Sequence, residues 1–273
     1  MSVSILLCEG IASSPDVRLL RVVLRRVQLE IVPSGGKDGL PSTVIALRSQ
    51  VPQTCAFRDA DFPRQPDTWT AATDAEQWTV KRDTGDVMVG WKLRRKEIEN
   101  YFVDPNLLAR VFGWDGAQEK DYSDKLDNIL DELAIVTAAR MALTACAATR
   151  NRLDTQVSFI ADETRMKLEL SQKAQNFNQG AQVDETKLLA TFDRLLPECR
   201  RGGKFRQAGL DVFAGKNILA RMQQTAGMPN VVKNSDKLIE KVLDALEKAP
   251  DSHTWVSEWE KVHDAVGAWT PSP

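Results

Sequence analysis

The sequence predicts an α/β protein, in which a parallel sheet flanked by helices is followed by an all-helical C-terminal region. Three short apolar runs, at residues 2–8, 28–32 and 54–57, alternate with amphipathic helical stretches, a pattern typical of βαβ units. In the second half of the chain strand signals become scarce and apolar residues recur at helical spacing. We therefore divide the chain into a sheet-containing region, residues 1–113, and a helical region, residues 114–273.

The individual elements follow from local signals. Ser14 and Pro15 mark a helix start, and a second helix is expected at 41–48. A fourth strand is expected at 86–93, after a polar excursion at 63–85 that we interpret as a loop or short hairpin over the acidic site. Further helices are predicted at 105–113, 119–152, 162–176, 184–197, 215–226, 234–248 and 253–266.

Composition limits the class of protein. The chain has 273 residues, a hydrophobic content of 42%, a charged content of 27% and a net charge of −2, which together indicate a globular protein. Since there is no overall basic excess, any binding of nucleic acid would need a local basic patch. No apolar run approaches the roughly 20 residues of a membrane span, and the N-terminus does not resemble a signal peptide. We expect a cytoplasmic protein with no membrane contact.

The cysteines and histidines exclude several kinds of site. The four cysteines are far apart and form no CxxC pair, so we expect reduced core thiols and neither a disulfide nor a zinc framework. Both histidines, His253 and His263, lie near the C-terminus. Chemistry that depends on a histidine is therefore not expected in the N-terminal half.

Acidic residues follow two of the predicted parallel strands. Glu9 comes after the first strand, and Asp59 and Asp61 come after the third. Side chains two apart on an extended chain point to the same side, and the carboxyl ends of parallel strands meet at one edge of a sheet. Carboxylates held so close repel one another unless a proton or a cation separates them, and oxygen ligands suit Mg²⁺ or Mn²⁺. The alternative for each is a solvated acid in a turn.

Basic residues lie near the same strand ends. Gly35-Gly36-Lys37 forms a plausible anion-accepting turn, although it lacks the spacing of a Walker P-loop. Lys37, Arg94, Arg95 and Lys96 are our candidates for contacts with a nucleic-acid backbone. The first helix also carries a basic face, formed by Arg18, Arg21, Arg25 and Arg26. That face is either a solvated surface or the border of a phosphate track.

Four motifs in order resemble a known family. They are Leu7-Cys8-Glu9-Gly10, Gly35-Gly36-Lys37, Arg58-Asp59-Ala60-Asp61-Phe62 and Arg95-Lys96-Glu97-Ile98-Glu99-Asn100-Tyr101-Phe102. The set resembles the TOPRIM-domain nucleases that accompany ABC-type ATPases in bacterial phage defence, such as the effectors of PARIS systems, and more distantly the OLD nucleases. The resemblance covers residues 1–113 and extends only loosely beyond, where Gly215-Lys216 echoes a Gly-Lys turn of that group.

The resemblance implies a set of roles. Glu9 would be a general acid/base or a metal ligand, and Asp59 and Asp61 would bind Mg²⁺ or Mn²⁺. Glu97 or Glu99 would complete a second metal site or only orient the neighbouring cations. Relatives often carry an acid three or four residues after the first glutamate, whereas here the nearest is Asp16. Either the two-metal site is incomplete, or a longer loop brings Asp16 into it.

The implied function is a metal-dependent nuclease that acts as a toxic effector of an anti-phage system. Its substrate would be RNA, such as tRNA, rather than DNA. An ABC- or AAA-type ATPase subunit would control the nuclease. A homodimer is also compatible with the sequence. The alternative is a non-catalytic TOPRIM interaction subunit, as in RecR-type repair proteins. Trp255, Trp259 and Trp269 are either interface anchors or ordinary core residues.

Overall fold

The computed structural model describes residues 2–36, 39–83, 85–146, 156–177 and 183–270. Its sheet has five strands in the order β2-β1-β3-β5-β4. All neighbouring pairs are parallel except β4 and β5, which form an antiparallel hairpin at one edge. The strands are β1 (Ile5–Cys8), β2 (Glu30–Pro33), β3 (Thr54–Arg58), β4 (Glu76–Arg82) and β5 (Gly85–Lys92).

Ten helices are seen in the described ranges. They are α1 (Pro15–Val23), α2 (Leu40–Arg48), α3 (Pro105–Phe112), α4 (Gly116–Cys146), α5 (Glu163–Phe177), α6 (Glu185–Cys199), α7 (Lys204–Ala208), α8 (Gly215–Gln224), α9 (Ser235–Lys248) and α10 (Ser257–Ala268). The predicted α/β fold class is therefore confirmed, as is the helical C-terminal region. The last predicted residues of the long helix, 147–152, lie outside the described ranges.

Of the two interpretations of the polar excursion, a loop or a short hairpin, the structure shows a hairpin, formed by β4 with β5. The polar excursion contains β4, whose residues are mostly exposed and which pairs with β5 through a register shift between Trp78 and Thr79. The residues before β4 extend to α6 and α7. Lys204 Nζ donates to the carbonyl of Pro66 at 2.8 Å, and the rings of Trp69 and Phe205 lie 5.3 Å apart.

The central strands are buried on both faces, as their continuous apolar runs predict. Leu6 and Cys8 belong to the large core shared with α1 and the C-terminal helices, whereas Leu7 belongs to a smaller core under α2. The pleat of β1 sends neighbouring side chains to opposite faces, which explains this division. Because the large core also contains residues such as Phe192 of α6, it is continuous between the sheet and the helical region.

The C-terminal tryptophans are packed inside the chain. Trp259 is buried, with its ring 5.3 Å from that of Tyr101, and Trp269 meets Trp91 edge-on at 6.4 Å. Trp255 is partly buried beneath the guanidinium of Arg110, 4.3 Å from the ring centroid. These contacts agree with ordinary core packing.

All four cysteines are buried free thiols, as the sequence predicts. Burial raises the pKa of Cys8 and of Cys199 to about 12, so both stay protonated at neutral pH. In the described ranges no helix combines the length and the apolar character that crossing a bilayer requires.

Candidate functional site

Three acidic side chains line one narrow cleft at the carboxyl edge of the sheet: Glu9, Asp16 and Asp59. Leu7 of β1 is in register with Ala56 of β3, so Glu9 and Asp59 both follow their strands at the same edge. Asp16 reaches the cleft from the first turn of α1. Parallel strands and a right-handed crossover thus bring together acids from two strand ends and one helix start.

Gly10 lets the chain turn back immediately after Glu9. Its φ is +90°, and a Cβ at this position would lie 2.3 Å from the hydroxyl oxygen of Ser14. Its backbone exchanges two hydrogen bonds with Gly35, with N–O distances of 3.1 and 3.2 Å. A side chain would therefore be both strained and crowded here. The tight turn is what allows α1 to start beside the strand end and present Asp16.

Asp59 is partly buried and accepts the backbone N–H of Ile98 at 3.3 Å. Burial raises the pKa of Asp59 well above its ordinary value, because it disfavours the charged form. The carboxylates of Asp16 and Glu9 raise it further. The pKa of Asp16 is raised as well, chiefly by burial. These carboxyl groups are crowded enough to oppose one another's ionisation.

Asp61 has different surroundings from Asp59. Its Oδ2 lies 3.1 Å from an Nη atom of Arg58. The prediction that both aspartates point to one side assumes an extended chain, but β3 ends at Arg58, before either of them. The structure instead brings Asp16 together with Asp59, which is the longer-loop arrangement left open by the sequence.

Glu97 and Glu99 face α8. Glu97 Oε2 accepts the backbone N–H of Lys216 at 3.0 Å, and Glu99 Oε1 lies 3.5 Å from the Lys216 ammonium. Burial raises the pKa of Glu99, and Lys216 opposes this shift. Burial also acts to lower the pKa of Lys216, but the surrounding acids raise it above its ordinary value. In decreasing order of effect these acids are Glu99, Glu97, Asp16 and Asp59.

The N-terminus of α8 is fixed against the segment that carries both glutamates. Asn100 donates to the carbonyl of Phe213 at 2.7 Å and accepts the N–H of Glu97 at 3.0 Å. A Cβ on Gly215 would lie 2.7 to 2.8 Å from atoms of Asn100 and Glu99. Only glycine permits this approach, which places Lys216 over the acids. This role of the Gly215-Lys216 pair has no local signal in the sequence, because its partners lie more than a hundred positions away.

The cations predicted to contact nucleic acid lie in different surroundings. The Arg95 guanidinium is buried, pairs with Asp104 and donates to the carbonyl of Asn100 at 2.8 Å, so its position does not suit a phosphate contact. Arg94 Nε lies 3.2 Å from a carboxylate oxygen of Asp211. Arg95 therefore serves the interior of the chain, whereas Arg94 is partly buried and paired.

Lys96 and Lys37 complete that set. Lys96 is buried, its ammonium lies 4.4 Å from the ring centroid of Phe62 and 3.8 Å from Glu97 Oε1, and its charge lowers the pKa of Asp59. It is thus a cation beside the acids. Lys37 lies outside the described residues.

The cleft offers a divalent cation several oxygen donors but, among the described residues, no closed set of protein ligands. In the described ranges no three His, Cys, Asp or Glu side chains are gathered so as to hold one ion together. Mg²⁺, however, usually keeps several waters and is bound through one or two carboxylates. Glu9, Asp16 and Asp59 offer oxygen donors on one cleft, with crowding that a cation would relieve. The donor chemistry fits Mg²⁺ or Mn²⁺, while Lys96, Lys216 and Arg58 supply positive charge around these acids.

Comparison with models of known protein families gives no match, and comparison with curated protein sequences gives no significant match.

Proposed function

We propose that the chain is a metal-dependent phosphodiesterase of the TOPRIM type, a nuclease whose site is the cleft of Glu9, Asp16 and Asp59. The observation that carries this proposal is the meeting of these three carboxylates at the carboxyl edge of a parallel sheet. The order of motifs adds support, because Glu9-Gly10 and Asp59 occupy the strand ends that the resemblance to TOPRIM nucleases requires. One or two of the carboxylates of Glu9, Asp16 and Asp59 would hold a divalent cation that keeps several waters.

A bound Mg²⁺ or Mn²⁺ would neutralise charge on a phosphodiester and lower the pKa of a bound water. Side chains of the protein would supply the proton transfer and the phosphate contacts. A cleft carboxylate that does not bind the cation can accept a proton from the attacking water and return it to the leaving oxygen. The side chain of Lys216 is 70% exposed, so its ammonium can reach a phosphate while it stays anchored near Glu99. Asp61 fixes Arg58, which also lines the cleft.

The wider biological role rests on the family resemblance. On this proposal the protein is a toxic effector of phage defence that cleaves RNA such as tRNA, under the control of an ATPase subunit. The four buried free thiols are consistent with action in the reducing cytoplasm.

The alternative is a non-catalytic interaction subunit, and one observation favours it. Lys96 and Lys216 already place positive charge beside the acids, so the cluster can persist without a metal ion. Under this view Glu97 and Glu99 serve only to hold α8 in place. A partner would then bind with undiminished affinity when the three cleft acids are replaced by amides.

The test is cleavage of total RNA, purified tRNA and plasmid DNA with Mg²⁺ or Mn²⁺, for the wild type beside Glu9→Gln. We expect cleavage of RNA by the wild type alone. The assay is repeated after co-expression with an ABC-type ATPase as candidate partner, since a controlled effector is silent by itself. Equal cleavage by both proteins would show that Glu9 is not part of the site, and no cleavage even with the ATPase would favour the non-catalytic alternative.

A further inference from the structure

A second feature bearing on substrate binding is an open groove of about 400 Å³ between α1 and α9. Three of its six lining residues are arginines, Arg18, Arg21 and Arg25, and one is acidic, Glu247. The lining side chains alone thus carry a charge of three minus one, or +2. Ala12, in the loop that follows Glu9 and Gly10, is also among the lining residues.

Two of the arginines are locked in place by α9. Arg18 donates to Glu240 at 2.7 Å and to Glu247 at 3.1 Å. Arg25 donates to the carbonyl of Glu247 at 3.1 Å and to the hydroxyl of Ser252 at the same distance. These bonds fix the walls of the groove and compensate much of the Arg18 charge, so Arg18 holds the helices together.

Arg21 differs from its two neighbours. It is exposed, and among the described residues its guanidinium makes a single bond, to the carbonyl of Ala12 at 3.5 Å. A bond of that length is weak, which leaves the planar fork of donors available for an anion. Arg21 is therefore the cation in the groove that can bind an external phosphate.

The groove and the cleft are joined through one helix. Asp16 lies in the first turn of α1 and Arg21 lies five residues further along it. The rise between them is about 7.5 Å along the axis, and Arg21 also donates to the carbonyl of Ala12, three positions after Glu9. A strand whose scissile phosphate lies in the cleft can therefore place a neighbouring phosphate at Arg21.

We propose that the groove between α1 and α9 binds the phosphodiester backbone of the substrate strand beside the cleft, with Arg21 as its phosphate-binding residue. This inference rests on the proposed nuclease function for its choice of ligand, but it concerns binding and not cleavage.

The experiment measures binding without catalysis. The anisotropy of a fluorescein-labelled single-stranded RNA of about 12 nucleotides, a length within the usual range of single-strand sites, is followed in EDTA over a range of salt concentrations. A DNA strand of equal sequence is measured in parallel. The wild type is compared with Arg21→Ala, Arg21→Lys and the matched control Lys81→Ala, which removes an exposed cation from β4 at the far edge of the sheet.

We expect Arg21→Ala to weaken RNA binding by roughly 3–10-fold and to reduce the slope of log affinity against log salt by about 0.7–1, the value for one phosphate contact. Arg21→Lys should retain most of the affinity, and Lys81→Ala should match the wild type. Weaker binding of DNA than of RNA would assign the groove to RNA, and equal binding would assign it to the shared backbone.

Two results would overturn the inference: wild-type affinity in Arg21→Ala, or no binding of either strand by the wild type. The two proposals fail separately. If Arg21-dependent binding is seen but no metal-dependent cleavage, the groove stands and the nuclease does not. If cleavage is lost in Glu9→Gln while Arg21→Ala binds normally, the nuclease stands and the groove does not.

Discussion

The carboxylate of Glu97 accepts the backbone N–H of Lys216, 119 positions further along the chain, at 3.0 Å. This bond joins the segment after β5 to the first turn of α8. It satisfies one of the N–H groups that a helix start leaves unpaired, and it places a carboxylate where the helix dipole favours negative charge. The helical region therefore contributes directly to the acidic cluster at the sheet edge.

Gly215→Ala should disturb this junction. A methyl group there would lie 2.7 to 2.8 Å from Asn100 and Glu99, which forces α8 away from the segment. We expect a loss of about 1–3 kcal/mol in the free energy of unfolding, the usual cost of overpacking, measured by urea denaturation. The matched control is Gly116→Ala at the start of α4, where a Cβ meets no atom within 4 Å of the described chain. Equal stability of both variants would show that the junction is not tightly packed.

Asp59→Asn should stabilise the metal-free protein. The pKa of Asp59 is raised, mainly by burial, so the folded state favours the protonated form and the charged form costs stability at neutral pH. An amide removes that charge and keeps an oxygen for the N–H of Ile98. We expect the melting temperature in EDTA to rise by roughly 2–4 °C, the shift for about 1 kcal/mol in a protein of this size. Adding Mn²⁺ should then raise the melting temperature of the wild type more than that of the variant. A lower melting temperature in EDTA would contradict this account.

Arg95→Met should be strongly destabilising. The Arg95 side chain is 5% exposed and pairs with Asp104, so its removal leaves a buried carboxylate without its cation. We expect a loss of about 3–5 kcal/mol in the free energy of unfolding. Adding Asp104→Asn should recover part of it, while Arg82→Met on the exposed edge strand should stay within about 0.5 kcal/mol of the wild type. Wild-type stability with weakened RNA binding in Arg95→Met would instead support the nucleic-acid contact predicted from the sequence.

His253 should make the protein less stable in mild acid. Its ring is stacked on that of His263, with centroids 4.6 Å apart, and burial, His263 and Arg26 all lower the pKa of His253, against the weaker opposing effect of Glu260 and Asp251. The unfolded chain then binds a proton more readily than the folded one. The contribution of His253 is therefore present above its ordinary pKa of 6.5 and is lost as the pH falls through its lower folded-state value.

The measurement is the difference in melting temperature between the wild type and His253→Gln at about pH 7.5 and pH 5.5, on either side of the ordinary histidine pKa. The wild type should lose more on acidification than the variant. The difference is used because Asp211 titrates in the same pH range. Burial raises its pKa to about 6, so its effect on stability is opposite in sign to that of His253. That effect is the same in both proteins and cancels in the difference. Parallel pH dependence of the two proteins would refute the assignment.

Local sequence signals were sufficient for the sheet and for part of the site. The continuous apolar character of β1 and β3 predicts buried parallel strands, and parallel strands place Glu9 and Asp59 at one edge. Asp61 was assigned to the site because it lies two residues after Asp59. That spacing places both side chains on one side only in an extended strand, and β3 ends at Arg58. Side-chain partners such as Arg58 cannot be derived from spacing.

Long-range packing accounts for the rest. The position of Lys216 depends on Asn100 binding the carbonyl of Phe213 and on Gly215 admitting α8 to close range. Neither the bond nor the close approach can be read from the spacing of residues in the sequence. The surroundings of Arg95 are hidden for a related reason: a run of cations resembles a surface patch, and the sequence does not show the buried carboxylate of Asp104 beside it.

The most direct test of the central claim is Mn²⁺ binding, followed by the loss of the free-ion electron paramagnetic resonance signal, in the wild type, Asp16→Asn and Asp61→Asn. It requires neither a substrate nor a partner. If the cleft of Glu9, Asp16 and Asp59 holds the ion, Asp16→Asn should weaken binding by at least about tenfold, or 1.4 kcal/mol, and Asp61→Asn should weaken it less. Loss of binding in Asp61→Asn with normal binding in Asp16→Asn would contradict the site described, and no Mn²⁺ binding by the wild type would contradict a metal-dependent function.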